Sequence, residues 1–310
     1  MAAPRVSVII TTWNAADVLE RCLETVAAQR VPGGFETIVV DNGSTDGTAQ
    51  LLSGRARDLR VISNRDNVGF SLGNNQAAGE AVGEVLLFLN SDTELLSADV
   101  VERLTRAVED ERVGLAGPML VNPDGTLQPS CAAHPTVHRA VLVGAGAHRL
   151  LPDSVLERVA PEFWSHDRPT DTGWVMGAVV AVRADVFRRL GGFWPVMYSE
   201  EQELAFRAHE QGLRVHFEPA VRVMHVGNHS NAQRWSSPVR AARVASAEIS
   251  FLRRHYSRPR GAAIRVITGA AYGARAIVHR VLGHAHQAAV YRAMWRVYAS
   301  GTEGAGSQAG

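Results

Sequence analysis

Over residues 1–90 the apolar positions alternate between two periods. Val6–Ile10 is a run dominated by β-branched residues, as a buried strand requires, while Val18, Leu19, Cys22, Leu23 and Val26 recur at helical spacing between Ala15 and Gln29. Glu36–Val40 repeats the strand pattern and runs into DNGSTDGT, where Ser44 or Thr45 is placed to cap a helix carrying Leu51 and Leu52. Arg60–Ser63 reads as a short third strand, Ala77–Ala81 as the tail of a helix, and Val85–Leu89 as a buried fourth strand. The alternation predicts an α/β fold with a mostly parallel central sheet and helices on both faces. Ligands of such sheets sit beyond the carboxyl ends of the strands. Those ends carry Thr11, Thr12 and Asn14 after the first strand, Asp41, Asn42 and Ser44 after the second, and Asn90, Asp92 and Glu94 after the fourth.

After Pro118 the pattern changes. LVNPDGTLQPS predicts a hairpin around Asp124-Gly125, and His134–Asp171 has no clear period. Regularity returns with GAVVAV as a strand, ADVFRRLGGF as a helix closed by Gly191, and SEEQELAFRAHEQG as a helix closed by Gly212. A strand at Val215–Phe217 and the segment VRVMH complete the core, and Glu248 to Arg296 reads as a separate, mainly helical tail.

Composition narrows the classes. At 310 residues and 46% hydrophobic the chain can bury one large core with an appendage. A formal net charge of +1 supplies no global field for a polyanion, so a nucleic-acid partner is not expected. Cys22 and Cys131 are too few for a disulfide framework or a Cys-rich zinc site and suit a reducing, cytoplasmic setting. No uninterrupted apolar stretch reaches the ~20 residues a bilayer span needs. The tail departs from this neutrality: from Arg253 to Arg296 it holds nine arginines and no acid. Val266, Ile267, Ala270, Tyr272, Ile277, Val278, Val281 and Leu282 recur there at helix-compatible spacing, with Tyr291, Trp295 and Tyr298 beyond. Peripheral contact with the inner face of a membrane is one expectation. The other is a helical pair packed on the core or on a second subunit as a homodimer, which Gly261, Gly269, Gly273 and Gly283 suit.

The strand ends carry the candidate chemistry. In FLNSDTE, Asn90 and Asp92 lie two apart and point the same way, so one carboxylate can reach a metal and a diphosphate while its neighbour meets a sugar or ribose. Asp41 in DNGSTDGT is placed to accept from a base imide or a ribose hydroxyl, and the glycines there do not form the G-x-G-x-x-G dinucleotide fingerprint. NVGFSLGNNQA offers Gly69 and Gly73 for close backbone approach, with Asn74 and Asn75 as amide donors and acceptors. Glu200, Glu201 and Glu203 open a helix, where the dipole favours ionised carboxylates, and His225 follows a strand as a candidate ligand. Singly, each has an ordinary reading as a capping loop, a turn, a helix start or a structural histidine.

Together, SVIITTWN, VVDNGSTDGT, NVGFSLGNNQA, FLNSDTE, EEQEL and His225 stand in the order and spacing that resemble the inverting glycosyltransferases of family two, over roughly Val6 to Gly227. The resemblance implies a GT-A, Rossmann-like fold in which residues 1–118 form the nucleotide-sugar half and 119–235 the acceptor-binding and catalytic half of one domain. A helical extension over 236–300 and a disordered tail over 301–310 would follow. It further implies that Thr11 and Asp41 hold the nucleoside, with Asn14, Asn67, Gly69, Asn74 and Asn90 around the nucleotide sugar. Asp92 and His225 would bind Mg²⁺ or Mn²⁺. The family's Glu-Asp pair becomes Glu200-Glu201, which makes Glu201 the base on one extra methylene, and Trp194 stands where an Asp is usual in GGFDE. The hairpin and the GAVVAVRADVFRRLGGF stretch look most like bacterial rhamnosyltransferases. That likeness implies dTDP-rhamnose as donor, with a UDP-hexose second, a glycan, lipid-linked or small-molecule acceptor, and Trp174, Met176 and Gly177 on the acceptor side. A nucleotidyltransferase would carry an early glycine-rich G-x-G-T-R-like loop and a lysine, and the chain has neither. An inactive sugar-nucleotide binder is the third class.

Overall fold

The structure, a computed structural model, describes residues 3–55, 57–195, 198–227 and 236–301. Apart from Gly301, the stretch read as a disordered tail lies outside these residues. The chain divides into two compact units, one holding 1–132, 165–195 and 200–230 and the other the remainder.

The first unit is built on a sheet. Its strands are β1 (Val6–Thr12), β2 (Phe35–Asp41), β3 (Arg60–Ser63), β4 (Val85–Asn90), β5 (Thr93–Leu95) and β6 (Val113–Val121). They continue with β7 (Leu127–Gln128), β8 (Cys131–Ala132), β9 (Thr170–Thr172), β10 (Trp174–Val175), β11 (Val179–Arg183) and β12 (Arg214–His225). The main order is β3-β2-β1-β4-β11-β6-β12-β5. β3 to β4 are parallel neighbours, β11 runs antiparallel between β4 and β6, and β6 and β12 are parallel again. Val8, Ile9 and Ile10 of β1 are all fully buried, as both faces of a helix-covered parallel sheet require. Leu19, Cys22, Leu23 and Val26 form the buried stripe of α1 (Ala16–Ala27), matching its sequence period.

Two local features differ from the sequence reading. First, α2 (Thr48–Gly54) begins after Ser44 and Thr45, which turn instead to Asn14. Ser44 Oγ accepts from the Asn14 amide at 2.9 Å and the Thr45 amide donates to Asn14 Oδ1 at 2.8 Å, while Asp46 accepts from the Thr48 amide at 2.9 Å. Second, Val215–Phe217 and VRVMH are one strand, β12, interrupted between Glu218 and Arg222 where Pro219 has no N–H for the ladder. The helix whose tail the sequence shows at Ala77 is α3 (Gly69–Glu80), which starts at Gly69. The hairpin at Asp124-Gly125 forms as expected, with Gly125 at φ +81° and Leu120 opposite Gln128. The helices α4 (Val100–Ala107), α7 (Ala184–Arg189) and α8 (Glu200–Glu210) also cover this unit.

The second unit is helical. The aperiodic stretch contributes α5 (Val137–Gly144) and α6 (Asp153–Val159), which belong with α9 (Ser237–His255), α10 (Arg258–Val281) and α11 (Ala285–Ser300). Small residues let the last two approach: a Cβ on Gly269 would meet Tyr298 Cβ at 2.9 Å, and one on Gly273 would meet Trp295 Cδ1 at 2.9 Å. Tyr298, 1% exposed, packs with Ala245 and Ile249 of α9. Arg139 pairs with Glu162, and Arg275 Nη2 donates to the Val143 carbonyl at 2.8 Å. Among the described residues no helix is long and apolar enough to cross a membrane.

Candidate active site

Sheet register brings the first two polar clusters together. Thr12 lies beside Asp41 across β1 and β2, and Thr11 lies beside Asn90 across β1 and β4. Asp41, 5% exposed, accepts from the Ser44 amide at 3.1 Å, so its loop folds around it. Asn14, at φ +47°, is spent on that same loop through the two contacts above. Asn67 Oδ1 accepts from the Gly69 amide at 2.9 Å and sets the start of α3, with Gly69 at φ +85°. The following turn sits hard on β1, since a Cβ on Gly73 would come within 2.9 Å of Thr11 Cγ2. Asn74 is fully buried beside it. Its Nδ2 donates to the Phe70 carbonyl at 2.9 Å, but its Oδ1 has no protein partner, and neither do Thr11 Oγ1 and Thr12 Oγ1. Buried polar atoms left without a partner among the described residues are uncommon in folded proteins, and these three lie together at the strand ends.

Asn75, read from the sequence only as a polar group, has a different task. Its amide exchanges two bonds with Phe193, Nδ2 to the carbonyl at 2.7 Å and the Phe193 N–H to Oδ1 at 2.9 Å. Gly192, at φ +69°, is the residue that allows this approach.

Asp92 and His225 meet although 133 positions of chain separate them in sequence order, because β12 ends beside β5, with His225 opposite Thr93. His225 Nε2 lies 3.3 Å from Asp92 Oδ1, and both side chains are about nine-tenths buried. Asn90 Nδ2 lies 3.4 Å from the same ring nitrogen. The other nitrogen, Nδ1, is 2.8 Å from Gln128 Oε1, whose amide is oriented by donating Nε2 to Asn122 Oδ1 at 3.1 Å. A carbonyl oxygen only accepts, so Nδ1 carries a proton and Nε2 is the nitrogen that faces the Asp92 carboxylate. Two acceptors face each other there unless a proton or a cation lies between them. That donor set, an imidazole oriented by an outer amide plus one carboxylate, fits a divalent ion. No third His, Cys, Asp or Glu completes a cluster among the described residues, so the remaining ligands would be diphosphate oxygens and water. Gln128 is a residue the sequence reading missed, because nothing in its local pattern points to His225.

The acid at the head of α8 reaches the same strand end. The Gly177 amide donates to Glu201 Oε1 at 3.3 Å, while the next carbonyl, Ala178, accepts from the Asn90 amide at 2.9 Å. Glu201 is therefore held two backbone steps from Asn90. A Cβ on Gly177 would come within 3.1 Å of the Glu201 carboxyl carbon, which is the reason for glycine there. Burial pushes the Glu201 carboxyl above the usual carboxylate range, and the backbone N–H groups of Glu201 and Gly177 only partly oppose that. Glu200 and Glu203 are buried in the same first turn. Of the acceptor-side candidates, Met176 packs partly against the apolar core and its N–H donates to Ser130, whereas Trp174 is half-buried with no partner for its indole N–H. Burial pushes the Cys22 thiol up to about 12, so it is inert at neutral pH.

With this geometry described, the likenesses to known proteins fall into line. The family model for glycosyl transferase family 2 matches residues 7–130. The chain is 30% identical over 237 residues to the O-antigen biosynthesis protein RfbC of Myxococcus xanthus, covering 74% of this chain but only 18% of that much longer protein. It is 28% identical over 272 residues to the N-acetylglucosaminyl-diphospho-decaprenol L-rhamnosyltransferase of Mycobacterium tuberculosis, covering 80% of this chain and 84% of the relative. Among solved structures, a mannosyltransferase from Pyrobaculum calidifontis in complex with GDP-Man and Mn²⁺ superposes with a TM-score of 0.58 at 20% identity, over 96% of this chain and 85% of that one. At that identity the superposition speaks for the fold.

Proposed function

Since the chain is a family 2 glycosyltransferase with relatives among the rhamnosyltransferases, we propose that it moves L-rhamnose from dTDP-rhamnose, with inversion, to a hydroxyl of a glycan or lipid-linked acceptor. The observation that carries the reading is the Asp92–His225 pair, with Gln128 behind it and Glu201 held by Gly177 at the neighbouring strand end. Asp41 and Thr11 take the nucleoside, with Asn74 packed nearby. Asp92 and His225 are the residues that would hold a divalent cation, Mg²⁺ or Mn²⁺. That cation would supply charge stabilisation to the departing diphosphate. Glu201 removes the proton of the acceptor hydroxyl. A raised carboxyl is a stronger base once ionised, which suits this task near neutral pH. Trp174 and Gly177 border the acceptor side. Rhamnose is favoured by the name of the Mycobacterium tuberculosis relative, and a UDP-hexose is the alternative donor.

Incubating the purified chain with a panel of labelled nucleotide sugars tests this directly. Release or transfer should be greatest with dTDP-rhamnose, should vanish in EDTA, and should fall roughly 10²-fold or more in Asp92→Ala. Near-normal turnover of Asp92→Ala, or full activity in EDTA, would remove the cation from the reading.

A further inference from the structure

The helical unit contains a cavity of about 540 Å³ that plays no part in the chemistry above. Arg253, Arg258 and Arg265 line it, with Ser257, Ser300 and Gly301, and among the described residues no acidic side chain does. Arg265 Nη1 donates to the Tyr298 carbonyl at 2.5 Å and Arg253 Nη2 donates to the Gly301 carbonyl, so both brace the last turn of α11 against neutral oxygens. A guanidinium has five N–H donors, and Arg265 uses only a fraction of its own on backbone carbonyls. Arg258 makes no hydrogen bond or ion pair among the described residues. The 24-residue helix α10 begins at the same place, and its N-cap Ser257 makes no side-chain cap bond, so the positive end of the dipole adds to the guanidiniums. Between Glu248 and Glu303 the sequence has no acid to offset this charge.

We infer that this cavity binds a phosphate group. Guanidinium groups that line one cavity beside a helix N-terminus suit tetrahedral phosphate oxygens, each bond being charge-assisted. The cavity's volume suits a phosphate or diphosphate rather than a polymer, and the chain's net charge of +1 leaves no wider basic field for a polyanion. The phosphate can belong to a lipid head group or to a soluble molecule, and experiment distinguishes the two.

Inorganic pyrophosphate is titrated into the full chain by calorimetry in EDTA, which removes cation-dependent diphosphate binding at the strand ends. Saturable binding is expected, weakened at least about tenfold in Arg258→Ala. Arg280→Ala, which removes the same charge from an exposed position far along α10, should bind like the parent. Vesicles of phosphatidylcholine with and without phosphatidylglycerol form the second arm. Retention on the anionic vesicles that pyrophosphate displaces assigns the site to a lipid head group, and pyrophosphate binding without such retention assigns it to a soluble phosphate. Absence of both signals, or equal losses in Arg258→Ala and Arg280→Ala, overturns the inference.

Discussion

At the scale of single residues, the site depends on groups whose charge state is set by one or two neighbours. Burial raises the Glu201 carboxyl, so its charged form is disfavoured in the folded chain relative to the unfolded one, where a glutamate titrates near about 4.3. The folded state thus binds more protons between that value and the raised one, and stability falls as pH rises through this window. Glu201→Gln should be more stable than the parent at neutral pH, with the difference gone below about pH 4, in parallel thermal melts. The same substitution should slow transfer at least ~10²-fold while nucleotide binding persists, and Glu200→Gln should cost less. If Glu200→Gln were the worse of the two, the base would be one position earlier. Gln128 makes a different kind of contribution, since it touches no reacting atom and acts through the His225 tautomer. Gln128→Leu should therefore raise the Mn²⁺ concentration for half-maximal activity by about ten- to a hundredfold, with kcat at saturating metal nearly restored. A loss of kcat that excess metal does not recover would mean that Gln128 serves the fold alone.

At the scale of elements, glycines decide where backbones can meet. Gly73 seats α3 on the end of β1, Gly177 admits the Glu201 carboxylate, and Gly269 seats α10 on α11. Gly269→Val should destabilise the helical unit by roughly 1–3 kcal/mol, because Tyr298 Cβ, close to its own backbone, cannot swing aside. Ala270→Val, at the exposed neighbouring position, is the control, and it should change the melt by no more than about 0.5 kcal/mol. Equal melts for the two variants would show that the helices part easily at this point. The strand-helix alternation that builds the first unit was legible from hydrophobic period alone. The register of β12 was not, because Pro219 divides its pattern into two shorter runs that only pairing with β6 joins.

At the scale of the whole molecule, the two units differ in what they expose. The helical unit presents Val266, Ile277, Val278, Val281 and Leu282, each more than half exposed, on a basic helix. We propose that this face meets an anionic membrane, where a lipid-linked acceptor resides. The full chain should float with phosphatidylglycerol vesicles at low salt, and Ile277→Asp with Val281→Asp should abolish this while leaving transfer to a soluble acceptor intact. A chain that fails to float and sediments as a dimer, which the paired aspartates then dissociate, would assign the face to a second copy instead.

By itself the sequence determined which segments are strands and helices and that polar clusters close three of the strands, because period and turn chemistry act over a few neighbouring residues. It also carried the motif order that identified Asp92, Glu201 and His225 as candidates. Only the tertiary structure decided what supports them. Gln128 reaches His225 across 97 positions and Gly177 meets Glu201 across 24, and each meeting depends on the register of strands that pair far apart in the chain. The aperiodic stretch His134–Asp171 likewise had no face of its own to read, and the place of its part up to Trp164 with the C-terminal helices follows from contacts that no local pattern encodes. Local periodicity reports the direction in which a side chain points, whereas the partner it finds there is set by the packing of the whole unit.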